Sequence, residues 1–388
     1  MAFSSRRAFL KKAGIGTAAA VTLSSSGARA AGGLRGDEEK TATNIEDALA
    51  YPRTEWSMPG RYPGTVIETY DAAAVNDGVI DAVRAAAMLE KSMRALTGIE
   101  DLAQAWSRFV QPGDRIGLKV NPVAGKLLST SPALVTAVIA QLEAAGIPRR
   151  DIMIWDRREF QLHEAGFTPE AFPGIRIRGT ECKDAEGGFR DANGRLYSED
   201  RIDRDWYYWA DCEDSYDEET LPYMVNEGKH SYFSSIVTRE IDKIINLPIL
   251  KNAGSTVTLC MKNLAYGAVT NTGRLHKPLW AETCAQVPCF PPLRDKVVLN
   301  IVDGLVGCYH GGPGANPQFI LPYHRLLVGS DPVAVDRIGL SIVEAMRIEK
   351  NVQEKPSPRA RAFLDLAQHY QLGIADLNRI HHTRIDMS

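Results

Sequence analysis

Apolar residues recur along this chain in two rhythms, and the changes of rhythm mark its elements. Arg115-Ile-Gly-Leu-Lys-Val-Asn121 is a short apolar run interrupted by Lys119, and it predicts a strand. Ser131-Pro132 follows as a helix cap with proline at the first helical position. Leu134, Val135, Val138, Ile139 and Leu142 then repeat at helical spacing, and Gly146 closes the stretch. Asp151-Ile-Met-Ile-Trp-Asp156 is a second strand, so strand, helix and strand form a βαβ unit with parallel strands.

The same patterning extends to both sides. A helix is expected from about Asp77 to Leu96, on the spacing of Val79, Ile80, Val83, Ala86, Ala87 and Leu89. A shorter one is expected over Ile99–Phe109, stopped by Gln111-Pro112-Gly113. Lys243–Leu247, Val297–Val302 and Leu326–Gly329 read as buried strands. Ser330-Asp331-Pro332 repeats the cap-then-proline signal before a long helix carrying Val333, Val335, Ile338, Ile342, Val343 and Met346. The fold class expected is α/β, a mainly parallel sheet covered by helices. Residues 180–235 break the pattern with many Asp, Glu, Tyr and Trp, including Trp206-Tyr-Tyr-Trp209. They predict an acidic, aromatic-rich insertion, its aromatics more a small core than a ligand platform. The organisation expected is a leader over 1–30, a lead-in with a helical segment over 31–112, the α/β domain over 113–350, and a C-terminal helical segment over 351–388.

Ligands of open α/β sheets bind beyond the carboxyl ends of the strands, and this rule selects candidate residues. The first strand delivers Lys119 and Asn121, and the second delivers Asp156 with Arg157 and Arg158. The third leads to Lys251, the fourth to Asp303 and the glycine loop His310-Gly311-Gly312-Pro313-Gly314, and the fifth to Asp331. Lys262-Asn263 follows another apolar run. Paired lysines with Asn donors suit a small anionic molecule. Catalytic roles are expected for Lys119, Lys262, Asp156 and His310. Substrate binding is expected for Asn121, Asn263, Lys251, Gly311, Gly312 and Gly314, the glycines offering backbone donors. A metal ion would draw on Asp303, His310 and Asp331, although no HxxH or HExxH spacing supports one. His276 is a second histidine candidate, and His381-His382 reads as a solvated tail. On this reading Lys119→Ala and Lys262→Ala abolish activity and leave the fold intact.

Composition narrows the classes. The 388 residues are 44% hydrophobic and 24% charged, which suits a packed protein, and the formal charge of −3 excludes a basic nucleic-acid scaffold. No uncharged apolar run reaches the roughly 18 residues of a membrane span. Ser5-Arg6-Arg7-Ala-Phe-Leu-Lys-Lys12, a mild apolar stretch and Ala28-Arg29-Ala30 together read as a twin-arginine export leader with a small-x-small cleavage site. Its loss would move the charge from −3 to −8, since it carries five cations and no acid. The expected partners are therefore the twin-arginine export machinery and a small anion, with a periplasmic or cell-envelope location. Six cysteines carry no CxxC and no close four-cysteine run, so a ferredoxin-type iron–sulfur cluster is not expected. Cys284 and Cys289 read as a loop disulfide or two unrelated thiols ahead of a metal site, and Cys260 and Cys308 as core thiols.

Several of these pieces, in this order, resemble the domain-of-unknown-function 362 family. They are Gly117-Leu-Lys-Val-Asn121, Thr130-Ser-Pro132, Ile154-Trp-Asp-Arg157, Ile244-Ile-Asn-Leu-Pro248 with Lys251, and Thr258 through Gly267. Val302-Asp-Gly304 with the Gly-Pro-Gly loop and Gly329-Ser-Asp-Pro-Val-Ala-Val-Asp336 complete the set, over roughly residues 113–345. The resemblance implies an α/β domain, in some relatives with an iron–sulfur association, and no assigned reaction. The functional expectation is an exported enzyme acting on a small anionic substrate, with metal or cofactor assistance admitted. The alternatives are a non-catalytic binding protein for a small acid or metal, and a cysteine-based redox or cofactor-maturation factor.

Overall fold

The computed structural model describes residues 41–181, 201–213, 228–254, 256–355, 357 and 359–388. The leader and much of the acidic insertion, including Cys182, lie outside the described residues. The strands are β1 (Thr65–Tyr70), β2 (Val75–Asn76), β3 (Val79–Ile80), β4 (Ile116–Val120), β5 (Ile152–Arg158), β6 (Arg176–Glu181), β7 (Ile202–Trp209), β8 (His230–Ser234), β9 (Lys243–Leu247), β10 (Ile249–Ala253), β11 (Thr256–Thr258), β12 (Val297–Cys308), β13 (Ile320–Gly329) and β14 (His381–Asp386).

One ten-stranded sheet runs in the order β14-β1-β13-β12-β9-β4-β5-β6, with β10 and β11 attached beside β12. The block β12-β9-β4-β5-β6 is parallel throughout. Chain order moves outward from β4 through β5 to β6, then returns to place β9 on the other side of β4. The strand order therefore reverses between β4 and β9, which is the switch point where α/β sheets open a crevice. Helices cover both faces. Ile116, Leu118 and Val120 pack with the helices Ala82–Thr97 and Pro132–Ala144. Met153, Trp155 and Ile244 face the other layer, which holds the helices Cys260–Ala268, Trp280–Gln286, Pro332–Glu349 and Ala362–His369. Side chains alternate across a strand, so Gly117 and Lys119 share that second face.

The βαβ unit forms as its sequence indicates. Ser131 caps the helix Pro132–Ala144 by accepting from the Leu134 amide, with proline at the first turn. Three expectations are corrected. The stretch from Asp77 does not begin a helix. Asp77 and Gly78 both take positive φ and turn β2 into β3, and the helix starts at Ala82 under an Asp81 cap. That Asp-Gly pair is a hairpin-turn signal. Second, β13 runs antiparallel to β12, pairing Gly329 with Asn300, so its carboxyl end lies at the opposite rim from those of the parallel strands. Asp331 is therefore remote from the switch point. It caps the helix Pro332–Glu349 through the Val333 and Ala334 amides, and also accepts from Gly64 and Ile374. Third, His381-His382 is no free tail: it opens β14, which pairs parallel to β1, and His382 Nε2 lies 2.9 Å from the buried Glu68 carboxylate.

Of the insertion, β7 and β8 form a hairpin joined to the body by buried Arg274. Its guanidinium donates to the carbonyls of Ala210, Cys212 and Lys229 and to Ser231 Oγ. Tyr208 is buried with its hydroxyl on Gln286, and Trp206 packs on Tyr51 at 5.3 Å, so these aromatics serve as local core. Cys260, Cys284, Cys289 and Cys308 are free thiols and buried. No described helix is long and apolar enough to cross a membrane.

Candidate functional site

The sheet row through Lys119 explains the site. Register places Trp155 on β5, Lys119 on β4, Asn246 on β9 and Asn300 on β12 side by side. Above them lies the helix Cys260–Ala268, whose first amides, Cys260 and Met261, donate to buried Asp336 at 2.6 and 2.9 Å. This anchor sets the helix height over the sheet and brings Asn263 down onto the row.

Lys119 is 1% exposed, and its ammonium has three acceptors: Asp156 Oδ1 at 2.5 Å, the Val120 carbonyl at 2.8 Å and Asn263 Oδ1 at 3.0 Å. Three acceptors need three N–H donors, so Lys119 is held as an ammonium. Burial pulls its pKa below the ordinary lysine range, and Asp156 opposes that pull. The Lys119 stem passes under Gly267, where a Cβ would lie 2.2 Å from Lys119 Cε. A Gly267→Ala variant is therefore expected to displace the ion pair and lose about 1–3 kcal/mol of stability, read from its denaturant midpoint.

A head-to-tail chain of amides continues from this pair. Lys251 Nζ donates to Asn121 Oδ1 at 2.9 Å, and Asn121 Nδ2 donates to Asn263 Oδ1 at 3.1 Å. Asn263 Nδ2 then donates to Asn246 Oδ1, and Asn246 Nδ2 to Asn300 Oδ1. Asn300 ends the chain on the Ser330 carbonyl at 3.1 Å.

Lys119, Asn121, Asp156, Lys251 and Asn263 line a cavity of about 140 Å³ at the switch point, completed by Arg157, Thr258, Lys262, Tyr266, His276 and Pro313 among others. Among the described residues Asp156 is its one carboxylate, against Lys119, Arg157, Lys251 and Lys262. Burial and the neighbouring Lys262 draw the Lys251 pKa down to about 7. Burial also lowers that of Lys262, whose Nζ sits 5.5 Å from the Tyr266 ring with no carboxylate partner among the described residues. His276 is pushed down to about 3 by burial, Lys262 and Arg157, so it is a neutral imidazole. Its Nδ1 donates to the Thr272 carbonyl at 2.9 Å, which leaves the Nε2 lone pair as acceptor. The Thr258 hydroxyl is buried with no hydrogen-bond partner.

The structure thus brings together Lys119, Asn121, Asp156, Lys251, Lys262 and Asn263 from the sequence-derived set. It does not bring His310 there. His310 Nδ1 lies 2.7 Å from an Arg347 guanidinium nitrogen and 3.6 Å from Glu354, and its ring packs on Phe319. Asp303 is buried and accepts from the Ser131 and Leu305 amides, so it fixes the loop after β4. Asp331 caps its helix at the other rim. The three metal candidates are thus spent in separate local roles, and no described group of three His, Cys, Asp or Glu side chains forms a metal site. An iron–sulfur ligand set is likewise not formed by the described cysteines. Gly312 packs against the Asn252 carbonyl and donates its amide to Asn252 Oδ1, so it does not supply a donor to the cavity. Gly311 makes a turn at φ +73°, and Gly314 has open space around it. Pro313 is the member of this loop that reaches the cavity wall. Thr258 and Tyr266 are the lining residues the strand-end rule overlooks, because they come from a hairpin and the crossing helix, while His276, the second histidine candidate, reaches the cavity from the turn after that helix.

A family model described as Domain of unknown function (DUF362) matches residues 210–341. Over these residues the chain is similar to that family. The matched segment supplies Lys251, Thr258, Lys262, Asn263 and His276, whereas Lys119, Asn121 and Asp156 precede it. Among solved structures, a Thermotoga maritima protein from a structural genomics consortium is similar at 6% identity and a TM-score of 0.37. That match covers 66% of this chain and 59% of the other, so the chain spans less than two thirds of that protein. None of the curated proteins matches this chain.

Proposed function

We propose that this protein is an enzyme whose switch-point cavity binds a small anionic substrate. One observation carries the reading: among the described residues, the cavity wall holds four basic side chains and a single carboxylate. Unpaired buried charge is costly, and an anionic ligand offsets that cost. The unpartnered Thr258 hydroxyl in the same wall is the kind of group a ligand oxygen satisfies. A binding protein would need the charge but not an amine that changes charge near neutral pH. Lys251 is such an amine, and it favours an enzyme over a carrier. A cysteine-based redox role has less support, since the described thiols are buried.

The deciding measurement is a thermal-shift series with acetate, pyruvate, malonate and phosphate. A binding anion should raise stability by about 2.7 kcal/mol at a hundredfold excess over its Kd. No shift with any of these anions up to tens of millimolar would remove the reading. The same proposal includes export through the twin-arginine leader. Lys at both Arg6 and Arg7 should then retain the protein in the cytoplasm, as judged by cell fractionation.

A further inference from the structure

Of the three lysines at the cavity, one is placed to do more than attract charge. Lys119 has all three donors engaged. Lys262 lies over the Tyr266 ring at the cavity edge. Lys251 differs: it is fully buried, lines the cavity, and donates to one acceptor, the Asn121 amide oxygen. In its neutral form this amine carries a lone pair for attack. Directly across the β10–β11 hairpin, register pairs Lys251 with Thr258, whose hydroxyl is buried without a partner. Paired residues in an antiparallel ladder have Cβ atoms about 5 Å apart on the same face. The orphan hydroxyl and the amine therefore leave the same face of the hairpin, and both residues line the cavity.

Resting on the anion-site reading above, we propose that Lys251 forms a Schiff base with the carbonyl carbon of a small 2-oxo acid, with Thr258 and Lys262 holding the carboxylate. The amine nitrogen attacks the carbonyl carbon, a C–N bond forms, and the C=O π pair moves to oxygen. A proton passes from nitrogen to that oxygen to give the carbinolamine. The nitrogen lone pair then forms C=N as the hydroxyl leaves, taking up a proton from solvent to depart as water. The iminium that results places positive charge beside the substrate's α-carbon, where it withdraws electrons. Burial beside a second cation keeps a lysine amine unprotonated near neutral pH, which is the usual way such nucleophiles are activated.

The test is reductive trapping. The full chain is incubated with pyruvate and sodium cyanoborohydride near pH 7, and the product is mapped by peptide mass spectrometry. Thermal shift by pyruvate alone is read in parallel. The expected result is a secondary amine on the Lys251 peptide that needs pyruvate, is lost in Lys251→Met, and is reduced in the shape-preserving Thr258→Val. Stabilisation by pyruvate with no adduct at Lys251 would overturn the Schiff base and leave the anion site standing. Absence of both would overturn the two readings together. Adducts confined to exposed lysines, equal in the wild type and Thr258→Val, would also overturn it, even if Lys251→Met failed to fold.

Discussion

Lys119→Ala is expected to lose about 3–5 kcal/mol of stability, because it leaves the Asp156 carboxylate buried without its counter-ion. The pair has little contact with solvent: Lys119 and Asp156 side chains are 1% and 6% exposed, Trp155 lies 5.4 Å from the ammonium, and Gly267 packs over the Lys119 stem. This overrides the expectation from sequence that Lys119 can be removed with the fold intact. Chemical denaturation of Lys119→Ala, Asp156→Leu and the double variant Lys119→Ala/Asp156→Leu would measure it. The double variant should be more stable than the sum of its singles indicates. Additive losses would mean that the two groups do not act as a pair.

Lys262→Ala should behave in the opposite way. Its ammonium has no carboxylate partner among the described residues and it presses on Lys251. Removing it should leave stability unchanged or raise it. The cost should fall on anion binding, by about 2 kcal/mol or more, which is roughly 30-fold in Kd. The pH profile provides a second readout. Lys251 has a folded pKa of about 7 against an ordinary value of 10.5. Between those values the unfolded chain holds a proton that the folded chain lacks, so this group makes stability rise with pH there. Below about 7 it is charged in both states and its burial penalty is fully felt. Anion affinity runs the other way and falls as pH rises through about 7, because the charge that attracts the anion is lost. In Lys262→Ala the midpoint of that fall should move to higher pH, since one of the causes of the depression is gone. Isothermal titration from pH 5.5 to 9 would show it. An unmoved midpoint would mean that burial alone sets the Lys251 charge.

How much of this was legible beforehand depended on whether local pattern determines the outcome. The βαβ unit around Lys119 was legible because capping, helical spacing and alternation are local. Strand direction was not. The strand β13 is buried like its parallel neighbours near Gly329, and burial on both faces carries no sign of polarity, so Asp331 was assigned to the wrong rim. The Asp77-Gly78 turn lost to a chance run of apolar residues, since Val79 and Val83 are in fact 71% and 80% exposed. Of two histidines, the one in the conspicuous glycine loop was preferred. His276 reaches the cavity because the chain turns back after the helix Cys260–Ala268, and no periodicity announces that turn. The lysines and asparagines were legible because polar residues inside apolar runs have few explanations other than a partner or a ligand.

The asparagine chain gives the cavity a polarity of its own. At one end stand lysines, which only donate; at the other stands a backbone carbonyl, which only accepts. Each amide between them therefore has one allowed orientation, and none can flip without leaving two groups unmatched. A neutral Lys251 amine can still donate to Asn121, so the sequence of donations survives when that lysine loses its proton. The protein can thus vary the charge it offers a ligand while the surrounding dipoles stay in register, and the cavity titrates without having to rearrange.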